Sequence, residues 1–207
     1  MITRFKDEGS IAQIAEKETN ARLRLLHRHP FCRDLMKRFG YDIFHRTSLT
    51  HSGFVEFFEK FKQPRWEKMT LVEIGTWNGL TSLFLKQYFN RVITCDIEDN
   101  PNKYDVWGNT GGIEFILLKP DKEGSFEADK EKIFMNDKMK FDFAYLDGNH
   151  RKPDVDWKIL NKCKTGLVHE AWDVAPENAI RVSSHPNHRI FGFNFAYIGP
   201  EIREVDN

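Results

Sequence analysis

The spacing of hydrophobic positions changes near residue 70 of this chain. Before that point, apolar side chains recur at helical intervals and predict helices at 30–39 and after Ser52. The second of these helices carries four phenylalanines on one face: Phe54, Phe57, Phe58 and Phe61. Beyond residue 70, short apolar runs alternate with helical segments. Strands are predicted at 71–74, 91–95, 113–118, 141–146 and 167–172, helices at 79–88, 125–136 and 153–161, and a final extended run at 189–198.

This alternation determines the predicted fold. Strands separated by helical segments form parallel sheets, because parallel neighbours need a crossover that a helix supplies. Right-handed crossovers then bring the carboxyl ends of the strands to one edge of the sheet, where α/β proteins bind their ligands. We therefore predict a Rossmann-like α/β domain with a mostly parallel sheet of order 3-2-1-4-5, preceded by N-terminal helices.

Composition limits the class of protein. The chain has 207 residues, which suits one domain with a sizeable core. Its 31 Lys and Arg residues balance 31 Asp and Glu residues, so a nucleic-acid partner, which favours a basic excess, is not expected. No apolar run approaches the roughly 18 residues of a membrane helix. The three cysteines form no Cys-x-x-Cys pair. These features predict a cytoplasmic protein with no membrane partner.

The stretch from 72 to 82 contains the most informative pattern, a strand followed by a glycine turn and a helix. Gly75 leaves the strand with little steric restriction, and Gly79 permits close packing where the helix begins. The free N–H groups of that helix end favour an anion. Asp96 follows Gly75 by 21 residues, at the end of the second strand, where a carboxylate can accept ribose hydroxyls. A dinucleotide would require glycines where Trp77 and Leu80 stand.

These residues resemble the class I S-adenosylmethionine (SAM)-dependent methyltransferases. Their first motif is E/D-x-G-x-x-x-G, and Glu73, Gly75 and Gly79 match it. The resemblance implies that SAM is the cofactor and that Asp96 binds its ribose. The cofactor-binding residues are then predicted to be Glu73, Gly75, Thr76, Trp77, Gly79, Asp96 and Asp147.

The stretch 141–150 is a second motif, in which a buried strand ends in Asp147, Gly148 and His150. This D-G-x-H ending is similar to the type 24 methyltransferase domain family, and the similarity covers roughly 54–173. The absence of internal repeats and of Gly/Ser linkers predicts one domain over 1–207. The resemblance implies a SAM-binding core at 54–173, which leaves a helical extension at 1–53 and an abbreviated C-terminal edge at 174–207. It also implies that the extended run 189–198 joins the sheet antiparallel, beyond strand five.

An oxygen nucleophile must lose its proton during methyl transfer, either to a base or through a cation that acidifies it. Asp147 and His150 are the predicted catalytic residues. His169 is a second candidate base, but the preferred interpretation of this residue is a buried histidine of the core. Asp147 and Asp173 are predicted ligands of Mg²⁺, the second candidate cofactor. The fifth strand departs from the family pattern, and Glu170 could replace Asp173 in a shifted register.

The predicted activity is methyl transfer from SAM to a small-molecule or sugar acceptor, at a hydroxyl oxygen. Two alternatives stay open: a SAM-binding or degenerate domain with a regulatory or assembly role, and a nucleic-acid methyltransferase. The shortened C-terminal region supports the first alternative. Against the second alternative, the fourth predicted strand lacks the Asn/Asp-Pro-Pro-aromatic motif of amino-directed DNA methyltransferases. The predicted partner is a small-molecule substrate, and a homo-oligomer stays open.

Overall fold

A computed structural model describes residues 29–40, 42–44, 47–148, 153–169, 176–191 and 195–202. Residues 1–28 of the predicted helical extension lie outside these ranges, as do His150, Glu170 and Asp173. Within the described ranges, no helix has the length and apolar character needed to cross a membrane.

Seven strands of the described residues form one sheet of order β3-β2-β1-β4-β5-β7-β6. The strands are β1 (Thr70–Ile74), β2 (Arg91–Asp96), β3 (Ile113–Leu117), β4 (Phe143–Leu146), β5 (Gly166–His169), β6 (His188–Phe191) and β7 (Phe195–Ile198). The first five are parallel, in the predicted order 3-2-1-4-5. The Rossmann-like α/β fold is therefore confirmed.

The C-terminal edge differs in detail from its prediction. The run 189–198 was expected to be one strand, but it contains two, with β7 antiparallel to both β5 and β6. The reason is length, since a strand rises about 3.3 Å per residue and ten residues would extend about 33 Å. The partner strand β5 has four residues. By folding back, the chain lets β7 satisfy its backbone hydrogen bonds on both sides.

The helices are α1 (Pro30–Phe39), α2 (Ser52–Phe61), α3 (Leu80–Leu85), α4 (Asn102–Trp107), α5 (Glu127–Phe134), α6 (Asp154–Cys163) and α7 (Pro176–Ser184). Short 3₁₀ helices lie at Asp42–Phe44, Ser48–Thr50 and Pro64–Lys68. The helix α1 has the predicted bounds, with a proline at its start and Gly40 as its C-cap. The sequence did not predict α4 or α7. The six residues of α4 are too few for a helical period to be recognised.

The phenylalanines of α2 are core residues. Phe54, Phe57, Phe58 and Phe61 are all buried. Their spacing places them on one helix face, and that face packs against aromatic rings of the sheet, such as Tyr145 at 5.1 Å from Phe54 between ring centroids. The helix α2 thereby covers part of one face of the sheet.

Candidate functional site

A cavity of about 810 Å³ opens at the carboxyl ends of β1, β2 and β4. This volume falls in the range of roughly 300–1,000 Å³ that is typical of ligand pockets. The location is the one expected for an open α/β sheet, beside the point where the strand order reverses. The lining residues include Ile74, Gly75, Trp77, Asp96, Ile97, Leu118, Phe126, Glu127, Lys130 and Asp147.

The two glycines of the turn after β1 are required by close contacts. Gly75 has a φ of +100°, and a Cβ atom there would lie 2.3 Å from the carbonyl oxygen of Asp147. At Gly79, with a φ of +79°, a Cβ atom would lie 2.6 Å from Nε1 of Trp107. That indole nitrogen donates a hydrogen bond to the Gly79 carbonyl at 2.8 Å. The turn is therefore packed between the end of β4 and the helix α4.

Asp96 lies at the cavity and binds the backbone of the glycine turn. Its Oδ2 accepts hydrogen bonds from the N–H groups of Thr76 (2.9 Å) and Trp77 (2.7 Å). Its Oδ1 accepts one from the N–H of Ile97 at 2.7 Å. Asp96 therefore binds two N–H groups of the glycine turn itself, ahead of the helix that begins at Leu80. Since a carboxylate accepts about four hydrogen bonds, Asp96 retains capacity for a ribose hydroxyl.

Trp77 has a backbone conformation that is uncommon for its residue type. Its φ is +50°, in the left-handed region that disfavours bulky side chains. The residue is 43% exposed and lines the cavity. Strain of this kind persists where the surrounding structure imposes it. Here the hydrogen bond from the Trp77 N–H to Asp96 is one such constraint.

Glu73, the acid of the first motif, is fully buried and is not among the residues lining the cavity. Its Oε2 accepts a hydrogen bond from the Ser82 hydroxyl on α3. Burial raises the pKa of Glu73 to about 8. Glu73 therefore joins β1 to α3 behind the turn, whereas the sequence interpretation placed it among the ligand contacts.

Four side chains from three parts of the chain meet at the end of β4, and we call them the Asp147 network: Ser48, Tyr145, Asp147 and His169. Nδ1 of His169 lies 2.5 Å from Oδ1 of Asp147. The Ser48 hydroxyl donates to Oδ2 of Asp147 at 2.7 Å. The Tyr145 hydroxyl lies 2.5 Å from Ser48 Oγ and 3.1 Å from Oδ2 of Asp147. Because an ionised carboxylate only accepts hydrogen bonds, Nδ1 of His169 is the donor.

His169 is buried, with 6% exposure, as the preferred interpretation of this residue suggested. Its ring stacks on Phe195 at 4.6 Å between centroids. The sequence did not identify the contact with Asp147, nor Ser48 or Tyr145 as site residues. For Tyr145 a signal existed, since residues two apart on a strand point to the same face. For Ser48 there was none, because its partners are about 100 residues away.

A buried ionic cluster at the cavity was also missed. Lys130 of α5 is 2% exposed and pairs with Asp156 of α6 and with Glu127, the latter at 2.9 Å. Burial raises the pKa of Asp156 to about 6, against the opposing effect of Lys130. The spacing of Glu127 and Lys130 on one helix indicates their pairing. The contact with Asp156 depends on how the two helices pack.

Of the two predicted metal ligands, the structure describes Asp147 alone, because Asp173 lies outside the described residues. Both carboxylate oxygens of Asp147 contact protein side chains, Oδ1 with His169 and Oδ2 with Ser48. Among the residues that the structure describes, no group of three or more His, Cys, Asp or Glu side chains is placed to hold a metal ion. Asp173 and His150 lie outside the described residues, so their roles stay predictions.

No family model matches this chain, and no curated protein matches it either. Several solved structures do match it. An O-methyltransferase from Bacillus cereus in complex with SAH (S-adenosylhomocysteine) is 10% identical, with a TM-score of 0.50 over 96% of this chain and 94% of that chain. The MycE methyltransferase of mycinamycin biosynthesis, in complex with Mg and SAH, is 13% identical, with a TM-score of 0.50 over 97% of this chain and 59% of that one.

A SAM-dependent methyltransferase from Mesorhizobium loti is 15% identical, with a TM-score of 0.38 over 51% of this chain. This chain spans 48% of that protein. At such identities the similarities show the fold alone. The neighbours share the Rossmann-like fold of SAM-dependent methyltransferases, while the type 24 family stays a prediction.

Proposed function

We propose that this protein transfers a methyl group from SAM to a hydroxyl oxygen of a small-molecule or sugar acceptor. The observation that carries the proposal is the charge of the cavity. Four carboxylates line it, those of Asp96, Glu123, Glu127 and Asp147, with Lys130 as the single lining cation among the described residues. Such a lining attracts the positively charged sulfonium ligand and repels the pyrophosphate of a dinucleotide.

The residues lining the cavity include partners suited to an adenosine group. Ile97, Leu118 and Phe126 provide apolar surface for an adenine ring. Asp96, adjacent to Ile97, provides an acceptor for ribose hydroxyls. The residues present therefore fit SAM, and the methionine part of the ligand would extend towards Asp147 and the glycine turn.

Methyl transfer to oxygen is an in-line displacement, so the protein contributes mainly by positioning. The rigid turn at Gly75, packed on the carbonyl of Asp147, fixes the cavity wall that would orient the donor. The acceptor proton must leave to a base, and His150 remains our proposed base. We also propose that 1–207 acts as one domain, supported by the packing of α2 and β7 on the same core cluster. The cytoplasmic location and the oligomeric state stay predictions.

One observation favours the alternative of a SAM-binding module without turnover. Asp147, a predicted catalytic residue, has its carboxylate bound by His169 and Ser48. Such contacts are typical of a residue with a structural role. Turnover distinguishes the two functions, because a module would bind SAM and release no SAH in the presence of any hydroxyl acceptor.

The binding step is tested by calorimetry with SAM, SAH and NADH. We expect SAM and SAH to bind and NADH not to bind. Asp96→Ala should weaken SAM binding by roughly 1.5–3 kcal/mol, the usual loss for hydrogen bonds to a charged group. Asp137→Asn is the matched control, because this exposed acid follows α5 and does not line the cavity. Tight NADH binding without SAM binding would exclude the proposed cofactor.

A further inference from the structure

The Asp147 network joins three separate parts of the chain at the cavity wall. Ser48 comes from a 3₁₀ helix of the N-terminal segment, Tyr145 from β4, and His169 from the end of β5. These three residues are buried, at 1%, 0% and 6% exposure. The Asp147 side chain is 22% exposed, and Asp147 lines the cavity. The network therefore has three buried members behind one member that faces the ligand space.

The two hydroxyl groups of the network meet at one oxygen of Asp147. Ser48 donates to Oδ2 of Asp147 at 2.7 Å, and Tyr145 donates to the same oxygen at 3.1 Å. The two hydroxyls also lie 2.5 Å apart, and either of them can be the donor in that contact. Burial, and then the charge of Asp147, raise the pKa of Tyr145 well above its usual value, so its hydroxyl keeps the proton that it donates.

The two sides of the carboxylate are held by different elements. His169 donates to Oδ1, and the two hydroxyls donate to Oδ2. Donors on both oxygens stabilise the negative charge and restrict rotation of the side chain. A buried polar network is costly unless its members are satisfied, and it then specifies one arrangement. The arrangement specified here directs a fixed anion towards the cavity.

We infer that Ser48, Tyr145 and His169 are positioning residues, which hold the Asp147 carboxylate where it binds the positively charged part of the ligand. This inference rests on the proposed function and assigns a partner chemistry, an ammonium or a sulfonium group. It also gives the 3₁₀ helix Ser48–Thr50, which lies in the predicted extension 1–53, a role in the site.

A matched pair of tyrosines tests the inference. Tyr145→Phe removes one buried hydroxyl from the network. Tyr197→Phe removes a buried hydroxyl of β7 that donates to the Pro200 carbonyl at 3.0 Å and is outside the network. Both variants lose one hydrogen bond in the same core, so a purely structural role predicts similar effects. Ser48→Ala is a second network variant, in case Tyr145→Phe folds poorly.

The ligands for the test are SAM, SAH and 5′-methylthioadenosine, which lacks both the amino-acid end and the sulfonium charge. We expect Tyr145→Phe and Ser48→Ala to weaken SAM binding roughly 2- to 12-fold, as for one lost hydrogen bond. Tyr197→Phe should leave it unchanged, and 5′-methylthioadenosine should bind all variants equally. Equal weakening of SAM and SAH identifies the ammonium group, and weakening of SAM alone identifies the sulfonium group.

Two results would overturn the inference: unchanged SAM and SAH binding in both network variants, or equal weakening of all three ligands. Crystal structures of the ligand-free proteins supply a readout that does not depend on SAM. Asp147 should have one conformation in the wild type and Tyr197→Phe, and a displaced or second conformation in Tyr145→Phe. If the wild type binds none of the ligands, the proposed function fails. The position of Asp147 then decides the positioning role separately, and an unmoved carboxylate refutes it.

Discussion

Replacing Gly75 by alanine should destabilise the fold by an amount that the structure allows us to divide into two parts. The first is the backbone conformation: the φ of +100° costs an L-residue about 1–2 kcal/mol. The second is steric: the new Cβ would lie 2.3 Å from the carbonyl oxygen of Asp147, a backbone atom that cannot rotate away. Overpacking of this kind costs about 1–3 kcal/mol. The sum is about 2–5 kcal/mol.

Gly124→Ala is the control for the steric part. Gly124 has a φ of +80°, and a Cβ atom there would have no neighbour within 4 Å. Both substitutions reduce the entropy of the unfolded chain by the same amount, which cancels in the comparison. Gly75→Ala should therefore be less stable than Gly124→Ala by about 1–3 kcal/mol.

Urea unfolding measures this difference, provided that the two variants have the same dependence on denaturant. In a melting experiment, 1 kcal/mol corresponds to roughly 2–4 °C for a chain of this size. If the two variants agree within about 0.5 kcal/mol, the glycine turn does not pack on the end of β4 as described. The geometry derived for the cavity wall would then be wrong.

Two further substitutions test the buried charges. Burial raises the pKa of Glu73 from 4.5 to about 8, so the folded protein binds this proton more tightly than the unfolded chain. The free energy of unfolding of the wild type should therefore fall as pH rises from about 4.5 to about 8. Urea titrations of Glu73→Gln should lack that fall. If the wild type and Glu73→Gln have the same pH profile, the argument is contradicted. Lys130→Met should destabilise the fold by roughly 3–5 kcal/mol, because Asp156 loses its buried cation. Lys158→Met is the control, because it removes an exposed ion pair between the same two helices, and it should cost at most about 1 kcal/mol by urea unfolding. Equal losses in the two variants would refute the difference between the buried and the exposed ion pair.

Much of the fold could be predicted because its signals are local. The strands β1 to β4 each lie within two residues of their predicted bounds, since each is a short apolar run beside a turn. The helix α2 was recognisable from its phenylalanine face. The helix α4 was not, because its six residues pack by contacts that the sequence does not display, such as Trp107 on Gly79.

The sequence by itself determined where the cavity and the candidate site lie. A strand, a glycine turn and a helix, followed by acids at the ends of β2 and β4, place Gly75, Asp96 and Asp147 at one edge of a parallel sheet. These are consequences of local period and chain direction, which short stretches of sequence encode.

Only the tertiary structure decided what those residues contact. Asp96 binds the turn N–H groups, and Asp147 is held by Ser48 and His169, which lie 99 residues before it and 22 residues after it. Each partner reaches the site by a different route through the fold. Hydrogen bonds form between groups that packing brings within about 3 Å. No local period in the sequence records a separation of that kind, because it is set by how helices and strands pack on the shared core.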